Sequence, residues 1–155
     1  MKPVLFLRIA SVLVLIHAVL HTVGGVFGKP APGVASAVAA HMRTQFPVFG
    51  VTRSYADFYL GLGLGITIFL TADALLLWIL ASMAKTDASR LRPLIAVFAL
   101  AYLAFAVNSY MFFFPAPVVA EVLIVASLIA AIVTAKPVDA RESHANSAPL
   151  KTVQP

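Results

Sequence analysis

The chain has 155 residues, of which 61% are hydrophobic and 11% charged, and its net charge is +5 at pH 7. This composition is too apolar for an ordinary water-soluble domain and indicates a chain whose main solvent is lipid. The positive balance reflects a shortage of acids, so it does not predict a nucleic-acid-binding protein, and the absence of cysteine excludes disulfides and thiolate metal sites.

Four stretches are apolar and long enough to cross a bilayer, which needs about 20 residues each. The first covers about residues 4–25 and the second residues 55–83, where Ser54 and Asp57 form the S-x-x-D pattern that caps a helix. The third covers residues 93–114 and the fourth residues 117–135, separated by a corner at Pro115 and Pro117. The sequence therefore predicts an all-α fold, a four-helix transmembrane bundle within residues 1–135.

The long connection between the first two predicted spans is an outer loop, residues 26–54. Within it, residues 34–44 predict a short helix that lies on the membrane or caps the bundle, and residues 46–49 are expected to insert at the membrane surface. Gly24 and Gly25 are expected to loosen the end of the first span, so that the chain turns into this loop. Residues 136–155 are polar and predict a disordered tail.

Positive charge predicts the orientation of the spans. Eight of the 11 lysines and arginines fall at the ends that carry the termini, and three fall on the opposite side, at Lys29, Arg43 and Arg53. Because basic residues concentrate on the cytoplasmic side of membrane proteins, both termini and the tail are predicted to be cytoplasmic.

Polar side chains from several predicted spans lie at similar depths. At about 1.5 Å of rise per residue, His21 lies about 6 Å and His17 about 12 Å below the outer end of the first span. Asn108 lies about 9 Å below the outer end of the third span, and Glu121 about 6 Å below the start of the fourth. A binding pocket in the outer half of the bundle is therefore predicted, with these candidate residues: His17, His21, Asp57, Tyr59, Asn108, Tyr110 and Glu121.

The two histidines are four residues apart and so share one face of a helix. Such a pair is able to bind a divalent metal through neutral nitrogens, with Glu121, Asp57 or His41 as a third ligand, and His17, His21 and Glu121 form the candidate metal set. Haem held by two of these histidines in one chain is disfavoured, because its axial ligands must approach from opposite faces. A haem with a single protein ligand, and a quinone or sterol-like ligand, are the alternatives that the sequence does not exclude. The most economical interpretation is structural, with both imidazoles bonded to neighbouring helices and no cofactor bound.

Asp73 lies near the middle of the second span, where a charge is costly. It is expected to be protonated, to pair with Arg8 or His17, or to contact Tyr102. As an intramembrane acid it is also a candidate proton or cation relay. In the same span Gly61 and Gly65 form a small-x-x-x-small face, which is expected to let another helix approach closely.

Three blocks, HAVLHTVGG, RSYADFYLGLGL and NSYMFFFPAPVV, carry a resemblance to a family of small four-helix bacterial integral membrane proteins whose function is uncharacterised. The resemblance covers about residues 4–135. It implies a location in the bacterial cytoplasmic (inner) membrane. By motif it points to three residues in each block: His17, His21 and Gly24, then Asp57, Tyr59 and Gly61, then Asn108, Tyr110 and Pro115. It implies no reaction.

The function predicted from the sequence is a non-enzymatic integral membrane protein, a subunit or binding module with a polar pocket in the outer half of the bundle. Its partners are the lipid bilayer and either a second copy or a larger membrane complex. One alternative is a membrane redox enzyme, or a protein that binds metal, quinone or lipid, using His17 and His21. A second alternative is a small component of proton or cation transport using Asp73.

Overall fold

A computed structural model describes residues 2–135, and the predicted tail of residues 136–155 lies outside the described residues. The described chain consists mainly of helices, in this order: α1 (Lys2–Leu20), a π-helical turn (His21–Val26), α2 (Val34–His41), β1 (Gln45–Val48), β2 (Val51–Ser54), α3 (Tyr55–Asp87), α4 (Arg92–Phe112) and α5 (Pro115–Thr134). Four of these segments, with α1 and the π-helical turn counted together, are long and apolar enough to cross a membrane. The predicted helical fold and the existence of four candidate spans are thus confirmed.

The ends of the helices follow capping rules, with one correction to the prediction. Ser54 caps the start of α3: its hydroxyl accepts a hydrogen bond from the Asp57 N–H, and its backbone N–H donates to the Asp57 carboxylate. α5 begins at Pro115 instead of residue 117. Both prolines fit in its first turn, because backbone N–H groups there have no acceptor inside the helix and proline lacks that group.

The helices pack as an antiparallel group in which α1 is central. α1 packs against α3 and α5, and α4 packs against α5. Within residues 55–112, all of which the structure describes, α3 and α4 approach each other only sparsely. The bundle is therefore tight along α3–α1–α5–α4 and looser where α3 faces α4.

The core lies toward the end of the bundle that carries the N-terminus. α1 contributes Leu7, Ala10, Val14 and Ala18 at helical spacing, and alanines of α3 and α5 allow close approach of the backbones. In α3 the fully buried residues begin only at Leu70. The half of α3 nearer the long loop, residues 55–69, contains no fully buried side chain.

The loop contains a two-stranded hairpin that we did not predict. β1 and β2 pair antiparallel, with Val48 opposite Val51. The two residues of the turn, Phe49 and Gly50, both have positive φ, at 46° and 84°, which matches the twist of a tight hairpin. The predicted short helix in this loop is present as α2, and Phe46 is half-buried against Tyr55 and Phe58.

Candidate functional site

Glu121 is the most deeply buried of the predicted site residues. Its side chain is 3% exposed, and its Oε1 accepts a hydrogen bond of 2.9 Å from the Ser109 hydroxyl of α4. Its Oε2 is enclosed and has no hydrogen-bond partner among residues 2–135. One oxygen of a buried carboxyl group is therefore satisfied across the α4–α5 interface and the other is not.

Asp73 and Tyr102 connect α3 to α4, the two helices that approach each other sparsely. The Tyr102 hydroxyl donates to Asp73 Oδ2 over 3.2 Å, and the Tyr102 side chain is 1% exposed. Of the partners we considered for Asp73, Tyr102 is the one that the structure provides. Arg8 instead lies over the ring of Trp78, 5.1 Å from its centroid.

The two acids belong to one polar cluster in the interior. Tyr102 bonds Asp73 and Ser109 bonds Glu121, and these two buried residues of α4 lie two helical turns apart, about 10 Å, on the same face. We call Asp73, Tyr102, Ser109 and Glu121 the polar cluster. It extends over α3, α4 and α5, and it connects each of the two carboxyl groups to a hydroxyl group of α4.

His21 has a structural partner. Its Nε2–H donates to the Gly63 carbonyl of α3 over 3.1 Å, which assigns the proton to Nε2 because a carbonyl oxygen only accepts. The neighbouring Thr22 hydroxyl lies 2.9 Å from that of Thr67. His17 differs, since its Nδ1 is enclosed without a partner among the described residues.

A π-helical turn positions His21 and Thr22. The helix widens over His21–Val26, with the Phe27 N–H bonded to the Thr22 carbonyl five residues earlier. We expected Gly24 and Gly25 to loosen the helix so that the chain turns there, but the chain remains helical through both glycines. Widened turns of this kind occur frequently at functional sites.

Close approach of α3 to this turn occurs at a glycine other than the two predicted. A Cβ added to Gly63 would lie 2.9 Å from Val26 Cγ2, whereas one added to Gly61 or Gly65 would meet nothing within 4 Å. The expected approach of another helix at Gly61 and Gly65 is therefore wrong within this chain. The reason is helical phase, since Gly63 lies on a different face of α3.

Four of the predicted pocket residues do not face the interior. Asp57 caps α3 and is exposed, as is Tyr59. Asn108 is exposed, and Tyr110 is 80% exposed. Depth along a helix does not determine direction: adjacent positions differ by about 100°, so Ser109 faces Glu121 while Asn108 points outward. The predicted seven-residue pocket is therefore not assembled as a unit.

The predicted metal set is not assembled either. Among residues 2–135, no three His, Asp or Glu side chains lie close enough together to hold a metal ion. His21 already donates to a carbonyl through Nε2, and Glu121 is bonded to Ser109. His21 and Glu121 therefore have different hydrogen-bond partners, on α3 and α4 respectively.

Ser109 and Ser11 are interior polar residues that we did not select from the sequence. The Ser11 hydroxyl donates to the Ala74 carbonyl over 2.6 Å and bonds α1 to α3 next to Asp73. Hydroxyl residues inside apolar spans are the available signal, but most of them, such as Ser127 and Thr134, bond only to their own helix. The sequence does not distinguish hydroxyl residues that bond to another helix from those that bond to their own helix.

The comparisons with known proteins add no family to this geometry. Neither a protein-family model, nor a curated protein, nor a solved structure matches the chain. The resemblance to small four-helix bacterial membrane proteins therefore remains a prediction carried by three short blocks.

Proposed function

We propose that this chain is a small, non-enzymatic integral membrane protein, a binding module or subunit whose ligand or partner group engages the polar cluster. The observation that carries the proposal is the enclosed Oε2 of Glu121, which has no hydrogen-bond partner among the described residues. A buried polar atom left without a partner costs about 1–3 kcal/mol. Acids inside membrane spans are rare and usually functional, so a bound group that supplies the missing hydrogen bond accounts for its presence.

The packing of the helices supports entry of a lipophilic molecule from the side. α3 and α4 approach sparsely within residues 55–112, and the Tyr102–Asp73 hydrogen bond joins them there. A carboxyl group offers an acceptor, or a donor when protonated. The ligand class that fits is a lipid-soluble molecule with a hydroxyl or carbonyl group, such as a quinone or a sterol-like compound.

Location and orientation belong to the same proposal. Four helices long and apolar enough to cross a bilayer support an integral membrane protein. The excess of basic residues at the ends near the termini supports cytoplasmic termini, with the hairpin and α2 on the other side. The bacterial inner membrane is the location that the resemblance implies.

Purification in a mild detergent, followed by native mass spectrometry and analysis of extracted small molecules, tests this function. We expect the wild-type protein to retain a stoichiometric lipophilic molecule or a second subunit. Glu121→Leu should lose it, whereas Ser127→Ala, which removes a hydroxyl bonded only within α5, should retain it. Wild-type protein that is free of bound molecules and partners, or a Glu121→Leu variant that retains them, would contradict the proposal.

A second candidate function is a component of proton or cation transport, and the position of Glu121 is the observation that favours it. A single intramembrane acid is a poor basis for transport, but Asp73 and Glu121 bond to two buried residues on one face of α4, Tyr102 and Ser109. Chains of acids are typical of proton pathways in membranes. Proton flux into vesicles should fall in Asp73→Asn and persist in Thr71→Val, whose hydroxyl bonds to its own helix. Flux that Asp73→Asn leaves unchanged would remove this candidate.

A redox or metal-binding role for His17 and His21 has less support. His21 is engaged by the Gly63 carbonyl, and only His17 retains an enclosed nitrogen without a partner among residues 2–135. An absorption band in the visible range, lost in His17→Ala, would restore this alternative.

A further inference from the structure

A surface groove lies between α1 and α3, apart from the polar cluster. Its volume is about 360 Å³, and it lies toward the end of the bundle that carries the N-terminus. The lining consists of three aliphatic side chains, one tryptophan and one arginine: Ile9, Val12, Leu13, Trp78 and Arg8. The groove is therefore apolar apart from a single cation.

Arg8 is held in this groove without an anion. Its guanidinium carbon lies 5.1 Å from the centroid of the Trp78 ring, within the range of a cation–π interaction. Its Nε is enclosed and has no hydrogen-bond partner among residues 2–135. Among residues 2–135 the one ion pair joins Arg90 to Asp87. No carboxylate of the described residues therefore neutralises Arg8.

We propose that the groove binds one anionic phospholipid, with the headgroup phosphate paired to Arg8 and an acyl chain lying along Ile9, Val12 and Leu13. This site and its ligand are separate from the polar cluster and from the function proposed for it. A guanidinium forms two parallel hydrogen bonds with a phosphate, and stacking on Trp78 orients the planar group in advance.

The position of Arg8 suits a headgroup. Arg8 is six residues beyond Lys2, or about 9 Å along α1, so its long side chain can extend toward the membrane surface while its stem covers apolar neighbours. Among the described residues, the same end of the bundle carries one acid, Asp87, and four further basic residues: Lys2, Lys85, Arg90 and Arg92. This local excess of positive charge favours anionic lipid over zwitterionic lipid.

The lining of the groove favours a lipid over a second membrane helix. Helices that associate inside membranes meet through small residues, which let their backbones approach. Here the exposed side chains of the groove are large, including Ile9 at 39% and Trp78 at 47% exposure. Flexible acyl chains fill such shallow, uneven surfaces, whereas a rigid helix would leave gaps.

Trp78 is the single tryptophan of the chain, which makes its fluorescence a reporter on this groove. The full-length protein is placed in vesicles of equal phosphatidylglycerol and phosphatidylcholine, with bromine on the acyl chains of one lipid or of the other. Bromine quenches tryptophan only at short range, so the two degrees of quenching give the relative occupancy of the groove by each lipid.

We expect phosphatidylglycerol to be preferred roughly five-fold, the equivalent of about 1 kcal/mol for one cation at the membrane surface. Arg8→Gln should remove most of this preference. Arg43→Gln, which removes an exposed arginine from the loop at the opposite end of the bundle, should preserve it. Arg8→Lys keeps the charge but loses the planar fork, so it should give an intermediate preference.

Equal quenching of the wild-type protein by the two brominated lipids would overturn the proposal. So would a preference that Arg8→Gln leaves undiminished, or one that Arg43→Gln reduces just as strongly. Should Arg8→Gln lose its helical circular dichroism, the wild-type preference and its decline in Arg8→Lys decide the question without it.

Discussion

Tyr102 provides the sharpest test of how the polar cluster contributes to stability, because ring and hydroxyl have separable roles. The ring is the largest of the fully buried side chains, and the hydroxyl donates to Asp73 across the sparsely packed α3–α4 boundary. Tyr102→Phe removes only the hydroxyl. Hydrogen bonds between membrane helices average about 0.6 kcal/mol and reach about 1.7 kcal/mol, so the free energy of unfolding should fall by an amount in this range.

Tyr102→Ala also removes the ring and leaves a cavity. Loss of a buried aromatic side chain costs about 3–5 kcal/mol, which should exceed the effect of the hydroxyl several-fold. Titration with a denaturing detergent, followed by circular dichroism and Trp78 fluorescence, measures both variants. Tyr59→Phe is the matched control, because that tyrosine is exposed and should change stability by less than about 0.5 kcal/mol.

A double-mutant cycle isolates the hydrogen bond from other effects of the two substitutions. Tyr102→Phe combined with Asp73→Ala should show a coupling energy of about 0.6–1.7 kcal/mol. A coupling below about 0.3 kcal/mol, the usual error of such cycles, would refute the hydrogen bond as the link between α3 and α4.

Further predictions concern the other contacts of α3, and the same detergent titration measures each. Gly63→Ala should destabilise by about 1–3 kcal/mol, because its Cβ would press on Val26, whereas Gly61→Ala should be neutral or stabilising because open space surrounds it; equal effects would contradict this reasoning. His21→Phe should cost about 1 kcal/mol through loss of the bond to the Gly63 carbonyl. Ser54→Ala should cost about 1 kcal/mol by removing the cap, and no loss of helix stability would argue against the capping box.

Much of the helical architecture is predictable from local sequence. Runs of apolar residues that are long enough, as helices, to cross a bilayer predict the spans. Ser54 and Asp57 predict the start of α3, because capping is a local interaction. The hairpin was not predicted. Its two-residue turn begins with Phe49, where such turns usually have asparagine, aspartate or glycine, so the local signal for a hairpin is weak.

The candidate site was predictable only in part. Glu121 and Asp73 are conspicuous as acids within apolar spans, and the structure bonds both to buried hydroxyl groups of α4. Asn108 was selected by depth, but its neighbour Ser109 is the residue that faces Glu121. In a membrane, helices are apolar on every side, so the alternation of polar and apolar faces that identifies the interior of soluble bundles is weak.

The amino-acid sequence by itself determined that this chain forms long apolar helices, where most of them begin and end, and which ionisable groups lie within them. These properties depend on backbone hydrogen bonds inside each helix and on side-chain transfer to lipid, both of which are local. Only the tertiary structure decided that α1 is central, that Gly63 makes the close approach, and that Asp73 and Glu121 bond to hydroxyl groups of α4. These outcomes depend on the rotation of each helix about its axis, which is set by packing between side chains distant in sequence.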